Sequence, residues 1–290
     1  MARAVSPWVP NQHGAWAMLL LPIIMGMGLG ICTLVNDSSS AGAVIMGVTR
    51  SVVLLIAWVV GYFAFFAWGL WVKIPPPRNG RSSERKQKAF VATATYCAIT
   101  LVAALITVAL RPSLLVWAPV FAIVMGVALW EVVRKRPRSL LSGIATVVAS
   151  VLMVPVADHT IRGSINGIAW WWALMLGIYF TGTIIYVKTM IRERNNSRYL
   201  TFSIGYHAAF VLISLVFAVL ASCGVVTGFS PYTRLWWTVG TWLLVIAAAI
   251  SLFRSWAVPR SAHNGGKWTP KRVGKTEQLV TLGVVIALAL

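Results

Sequence analysis

Acid is what this chain has least of. Only 6 of its 290 residues are Asp or Glu, and charged residues of both signs make up 11%, where a soluble domain carries about 25%. With 59% hydrophobic residues and a mean hydropathy of +0.80, a soluble fold of this length could not hide its apolar surface. A bilayer can solvate such a surface, provided that each segment closes its own backbone hydrogen bonds, as helices do. The middles of the apolar runs hold no Asp or Glu. This argues against a proton relay through acidic side chains and against cation-coupled transport. The 3 cysteines, Cys32, Cys97 and Cys223, form no CxxC pair and no metal or redox motif. Cys32 and Cys223 both fall near outer helix ends, which leaves a disulfide open, but buried inert thiols are the simpler expectation. No metal site and no cofactor is implied. There is also no cleavable signal pattern: the first apolar run, of about 20 residues, is longer than a signal h-region and is expected to be the first membrane span.

What is present is a series of apolar runs of helical length. The spans expected are Ala15–Val35, Arg50–Val72, Ala89–Leu110, Leu114–Trp130, Ser139–Val156, Ile168–Val187, Tyr199–Val225, Leu235–Phe253 and Glu277–Leu290. Crossing roughly 30 Å of hydrocarbon takes about 20 residues. The last run would rise only about 21 Å, so its full crossing is left open. The fold class expected is all-α, a polytopic transmembrane helical bundle of about nine spans forming a single integral membrane domain over residues 1–290.

The formal net charge is +19. In a soluble chain that would suggest nucleic acid, but no recognition module is visible, and no nucleic-acid partner is expected. The bases crowd instead into alternate short loops. With the N-terminus inside, about 21 Lys and Arg fall on inner segments and about 4 (Arg50, Arg111, Arg162, Arg234) on outer turns. The alternation supports both the orientation and the span count. It makes membrane lipids and an anionic inner leaflet the partners expected. A cysteine placed at Asp158 is expected to react from outside, and one at Arg78 is not. Many of the 15 tryptophans fall at span ends, where indoles prefer the headgroup level.

A faint repeat accompanies this pattern. The second span ends Trp71-Val72-Lys73 and the sixth Tyr186-Val187-Lys188, four spans apart and each followed by a basic loop. A duplication would relate residues 10–133 to 138–254, leaving 277–290 as a terminal helix, and membrane sites often sit at repeat interfaces. Two snorkelling lysines would give the same local pattern.

Polar residues gather at inner helix ends. The candidate ligand-binding residues are Asn11, Gln12, His13, Lys73, Lys188, Arg192 and His207. Lys188 and Arg192 are four apart and share a helix face, so they could hold a phosphate or carboxylate between them. Asn11, Gln12, His13 and His207 are not explained by topology, and a desolvated anion needs several donors at once. Glu193 most simply pairs with a neighbouring Arg, and a core imidazole with one hydrogen bond would equally account for His207. No residue is singled out as catalytic.

The stretch Pro10-Asn11-Gln12-His13-Gly14-Ala15-Trp16-Ala17-Met18, followed by Pro22, resembles the opening of the YwiC-like bacterial membrane proteins. Val187-Lys188-Thr189-Met190-Ile191-Arg192-Glu193-Arg194 is similar to a second signature of that family. The resemblance implies a bacterial cytoplasmic membrane location and no established activity. A more distant likeness, to UbiA-type prenyltransferases, implies two four-helix halves and active-site loops after the second and sixth spans. Those enzymes hold Mg²⁺ and diphosphate with Asp-rich motifs. Here Lys73–Lys88 has one acid, Glu84, and Lys188–Arg198 has one, Glu193, too few for a carboxylate-held metal cluster. Three functions follow as expectations. The first is binding of an anionic amphiphile or small anion in a cytoplasm-facing basic cavity. The second is an organic-anion transporter or permease. The third is a non-catalytic membrane factor that docks a partner through basic loops.

Overall fold

Helix starts are written locally in the sequence. Ser40, Ser139, Asn166, Asn196 and Thr269 each stand just before a helix and accept a hydrogen bond from a backbone N–H of its first turn. Such caps satisfy donors that have no partner within the helix. The computed structural model describes residues 6–10, 15–75, 80–136, 139–226 and 234–290, without the side chains of 80–82 and 270–271. Asn11, Gln12, His13 and Arg78 therefore lie outside the described residues.

The described chain is all-helical. Its elements are α1 (Ala15–Asn36), α2 (Ala41–Lys73), α3 (Gly80–Leu110), a 3-10 turn at Pro112–Trp117 leading into α4 (Ala118–Val133), α5 (Leu140–Val151), α6 (Met153–Arg162), α7 (Gly167–Ile191), α8 (Ser197–Ser222), α9 (Arg234–His263) and α10 (Pro270–Ala289). Among the described residues, eight helical stretches are long and apolar enough to cross a membrane. They correspond to the first eight expected spans, and α10 is not among them. The chain is a multi-pass membrane protein.

Contacts divide it into two compact units, Met1–Ile165 and Asn166–Leu290. In the first, α2 runs along α3 and α1 along α6. The α1–α6 approach is close because Gly26 and Gly30, four apart on one face, oppose α6. A Cβ at Gly26 would lie 2.2 Å from the Val154 carbonyl oxygen, and one at Gly30 would lie 3.0 Å from the Ile161 side chain. Small residues let membrane helices approach in this way. Pro22, inside α1, has no N–H to give to the Met18 carbonyl. The Ser150 hydroxyl of α5 takes that carbonyl instead, and the Trp58 indole donates to the neighbouring Leu19 carbonyl at 2.8 Å. Pro155 similarly explains why α5 and α6 break one turn before it.

In the second unit, α8 packs along α9, α10 packs against α9, and α7 touches all three. The Tyr206 hydroxyl pins α8 to α7 by donating to the Ile178 carbonyl at 2.9 Å.

Several sequence boundaries shift. α6 continues through Asp158 and His159 to Arg162, so Asp158 is not in an outer turn; it is buried at 0% exposure. α2 begins nine residues before Arg50, which lies within the helix. α9 continues ten residues past Phe253, so Arg254 is a buried helical residue and no loop charge. The three cysteines are free and exposed, where burial was expected.

Two of the expected outer arginines are accounted for by one device. Arg111 donates from Nε to the Thr160 carbonyl at 3.3 Å and from Nη2 to the Ile161 carbonyl at 3.0 Å, closing the end of α6. Arg234 does the same for α8, donating to the Ser222 carbonyl at 3.3 Å. Each guanidinium lies over a left-handed glycine, Gly163 (φ 81°) and Gly224 (φ 72°), where a Cβ would stand 2.4 Å and 2.5 Å from it. A cation on the last carbonyls of a helix is favourable.

Because Asp158 is enclosed, a cysteine there would stay unlabelled in either orientation. Ser164, exposed in the turn after α6, is the position that reads topology. With the N-terminus inside, Ser164→Cys in a cysteine-free background is expected to react with an impermeant maleimide from the periplasmic side, and Arg85→Cys to be protected. The reverse pattern would invert every loop.

Candidate functional site

Buried polar residues occur in both units, and those on α7 to α10 include a buried ion pair. Arg254 of α9 and Glu277 of α10 are 6% and 7% exposed, and Arg254 Nη1 meets Glu277 Oε1 at 2.5 Å. The guanidinium lies over the ring of Tyr186 on α7, 4.5 Å from its centroid. Two turns back along α7, the Tyr179 hydroxyl shares a hydrogen bond with Thr281 Oγ1 at 2.8 Å. Thr281 in turn donates to the Glu277 carbonyl at 2.8 Å. His207 of α8, 2% exposed, donates from Nδ1 to the Ser203 carbonyl at 2.7 Å. Its Nε2 faces Gly182, where a Cβ would stand 3.2 Å away. At 1.5 Å per residue these groups lie roughly 8 to 18 Å in from the helix ends that carry Ile191, Ser197 and His263. An apolar cluster of Met190, Val258, Ala262, Val273 and Trp268 joins Tyr186 on that side and covers the layer.

Satisfaction is incomplete. Among the described residues, Arg254 Nε and Nη2, Glu277 Oε2 and the hydroxyls of Tyr186, Thr183 and Ser203 are buried without a hydrogen-bond partner. A buried ion pair costs several kcal/mol per charge in desolvation, which its attraction recovers only when the remaining donors are also filled. Leaving donors open in hydrocarbon is the expected cost of a group retained for binding.

The sequence-predicted residues fall as follows. Lys188 is half-buried near the end of α7, within electrostatic reach of Arg192 and Glu193, and Arg192 is the exposed C-terminal cap of the same helix. His207 lies deeper than both. Lys73 is exposed at the end of α2, in the first unit. Glu193 accepts from Asn196 Nδ2 at 2.9 Å, a neighbour in its own loop. Arg194 closes that loop on the Ala262 carbonyl at 2.9 Å.

By charge counting alone Arg254 is a topology charge and Glu277 merely opens the last, short apolar run. A signal was available. Arg254 interrupts an apolar run that resumes at Trp256, Ala257 and Val258, and Glu277 is one of only 6 acids.

The first unit holds a different polar group. Ser113 Oγ and His159 Nε2 are 3.0 Å apart, and the Trp117 indole donates to His159 Nδ1 at 2.9 Å. An indole N–H can only donate. Nδ1 is therefore the acceptor, and the proton of the neutral ring sits on Nε2 and points at Ser113. An imidazole in that tautomer cannot take the serine proton, so this pair is not an activated nucleophile.

The profile of the YwiC-like protein family matches residues 9–158, about half the chain. The chain is also 30% identical over 214 residues to the uncharacterized protein YwiC of Bacillus subtilis (strain 168), covering 72% of this chain and 77% of that protein. The chain belongs to the YwiC-like family. The matched residues take in the Asn11–Trp16 motif and α1 to most of α6, and the Arg254 layer of this YwiC-like protein lies beyond them. No solved structure matches, so the prenyltransferase likeness rests on motif and span order alone.

The His159 tautomer can be checked directly. A fluorophosphonate probe is expected to leave Ser113 unmodified, as judged by peptide mass spectrometry. Stoichiometric labelling at Ser113 would reverse the hydrogen-bond assignment.

Proposed function

We propose that this protein binds the anionic group of an amphiphile or small organic anion at Arg254, inside its second unit. The observation that carries the reading is the guanidinium itself. It is buried, stacked on Tyr186, held by Glu277 through one nitrogen, and open at Nε and Nη2. A carboxylate or phosphate is the planar or tetrahedral acceptor that fills such a fork. Glu277 acts as the resting partner that the ligand displaces, and Lys188 and Arg192 at the end of α7 attract the anion toward the layer. Tyr179, Thr183 and His207 supply polar neighbours. The apolar cluster around Trp268 must part for entry. This covered position favours organic-anion transport as the second reading, since a carrier alternates between closed and open forms.

The proposal includes location. The protein sits in the bacterial cytoplasmic membrane with its N-terminus in the cytoplasm, its basic loops against the anionic leaflet.

Thermal-shift titration of the purified chain with a medium-chain fatty acid and with a short dicarboxylate tests the reading. Wild type is expected to be stabilised, Arg254→Gln to lose roughly tenfold or more in affinity, and Glu277→Gln to bind more tightly, because the competing carboxylate is gone. If Glu277→Gln and Arg254→Gln weaken binding alike, or if no anion stabilises wild type, the layer is structural and the docking-factor reading takes its place.

A further inference from the structure

Three of the four arginines that break the positive-inside pattern, Arg50, Arg111 and Arg162, belong to the end of the first unit where α6 terminates. Arg162 is accounted for by Asp158, with Nη1 3.8 Å from Oδ1. Arg111 spends Nε and Nη2 on the Thr160 and Ile161 carbonyls, which hold it in place without neutralising its charge. Arg50 sits one turn after Gly47 on α2, and a Cβ at Gly47 would stand 3.0 Å from the Ile161 side chain. The two guanidinium-bearing residues thus flank the same last turn of α6. Arg50 is half-buried, its Nε is enclosed, and among the described residues it makes neither a hydrogen bond nor an ion pair.

Burial and then the neighbouring Arg50 charge push the Arg111 guanidinium below its ordinary value. His159 also lies within reach of the Arg111 charge, and it is neutral by the tautomer argument. Ser113, two residues from Arg111, accepts from His159 Nε2 and keeps its own hydroxyl proton to donate. Asp158 is engaged by Arg162. The last turn of α6 is therefore left with two like charges and spare donors, an arrangement that costs free energy until an anion sits between them.

We infer that Arg50 and Arg111 form a second anion site, separate from the Arg254 layer, which holds a phosphate or phosphodiester group at the α6 end of the first unit. Two guanidiniums present more donors than a carboxylate can accept, and a phosphate oxygen set uses them in pairs. The same chemistry can come from a lipid headgroup or from a free phosphate compound. In the orientation proposed above, the site faces outward.

The full-length protein tests this with two probes. Inorganic phosphate is titrated by thermal shift in a non-ionic detergent, and phosphatidylglycerol retention is measured by native mass spectrometry from mixed micelles. Arg50→Gln is the variant, because Arg111 also closes α6. Arg85→Gln, which removes a like charge from the exposed start of α3, is the control. A phosphate shift that Arg50→Gln weakens by roughly tenfold or more, with Arg85→Gln like wild type, supports the site and assigns it to a free phosphate. Retention of phosphatidylglycerol that Arg50→Gln alone abolishes, without a phosphate shift, supports the site and assigns it to a headgroup. Arg50→Lys should recover part of either signal, since it keeps the charge and loses the fork. If Arg50→Gln is indistinguishable from wild type or from Arg85→Gln with both probes, the proposal is overturned.

Discussion

Hydrocarbon offers no hydrogen bonds, and the rest of this structure follows from that constraint. Every polar group carried into the spans has to find its partner inside the protein. Ser51, Thr107, Ser214 and Ser251 give their hydroxyl protons to carbonyls four residues back on their own helices. Pro22 releases a carbonyl, and Ser150 takes it. Helix starts are closed by Ser, Asn and Thr side chains, and two helix ends by Arg111 and Arg234 over left-handed glycines. Other buried groups, among them the Tyr62 hydroxyl and the Trp172 indole, also lack a hydrogen-bond partner, but at Arg254 the open donors belong to a buried charge, where the cost of leaving them open is greatest.

Much of the fold was legible because the bilayer imposes its own length and polarity rules. The apolar runs located eight spans, with α2 beginning nine residues earlier and α9 ending ten residues later than expected, and the run at the C-terminus is the one whose helix, α10, falls outside the spanning set. The errors share one cause. Each charged residue was taken to mark the end of a span, so Arg50, Asp158 and Arg254 were assigned to turns or loops. All three lie within helices: Arg254 is paired with the distant Glu277, Asp158 with Arg162 four residues on, and Arg50 lies inside α2 without an ion pair among the described residues. A partner such as Glu277, 23 positions from Arg254, leaves no local trace in hydropathy. Neither does Tyr186, whose ring lies under the guanidinium.

The candidate site was legible in part. Lys188 and Arg192 do lie at the end of α7, and His207 is an internal residue of α8. The deeper layer was not visible, because it depends on how α9 and α10 bring one base and one acid together at the level of Tyr186. The Arg111 and Arg234 closures give the outer arginines a structural reason that charge counting does not contain. They also leave Arg50 as the outer arginine whose charge the fold does not use.

The central claim is that Arg254 and Glu277 depend on each other within an apolar surround. A double-mutant cycle on unfolding of the second unit, with Arg254→Met, Glu277→Leu and the pair together, measures that dependence directly. Each single change strands a buried charge and is expected to cost about 3–5 kcal/mol, while the double change recovers most of that loss. Small and additive effects would contradict the account, because they would mean that water or lipid headgroups already serve both side chains.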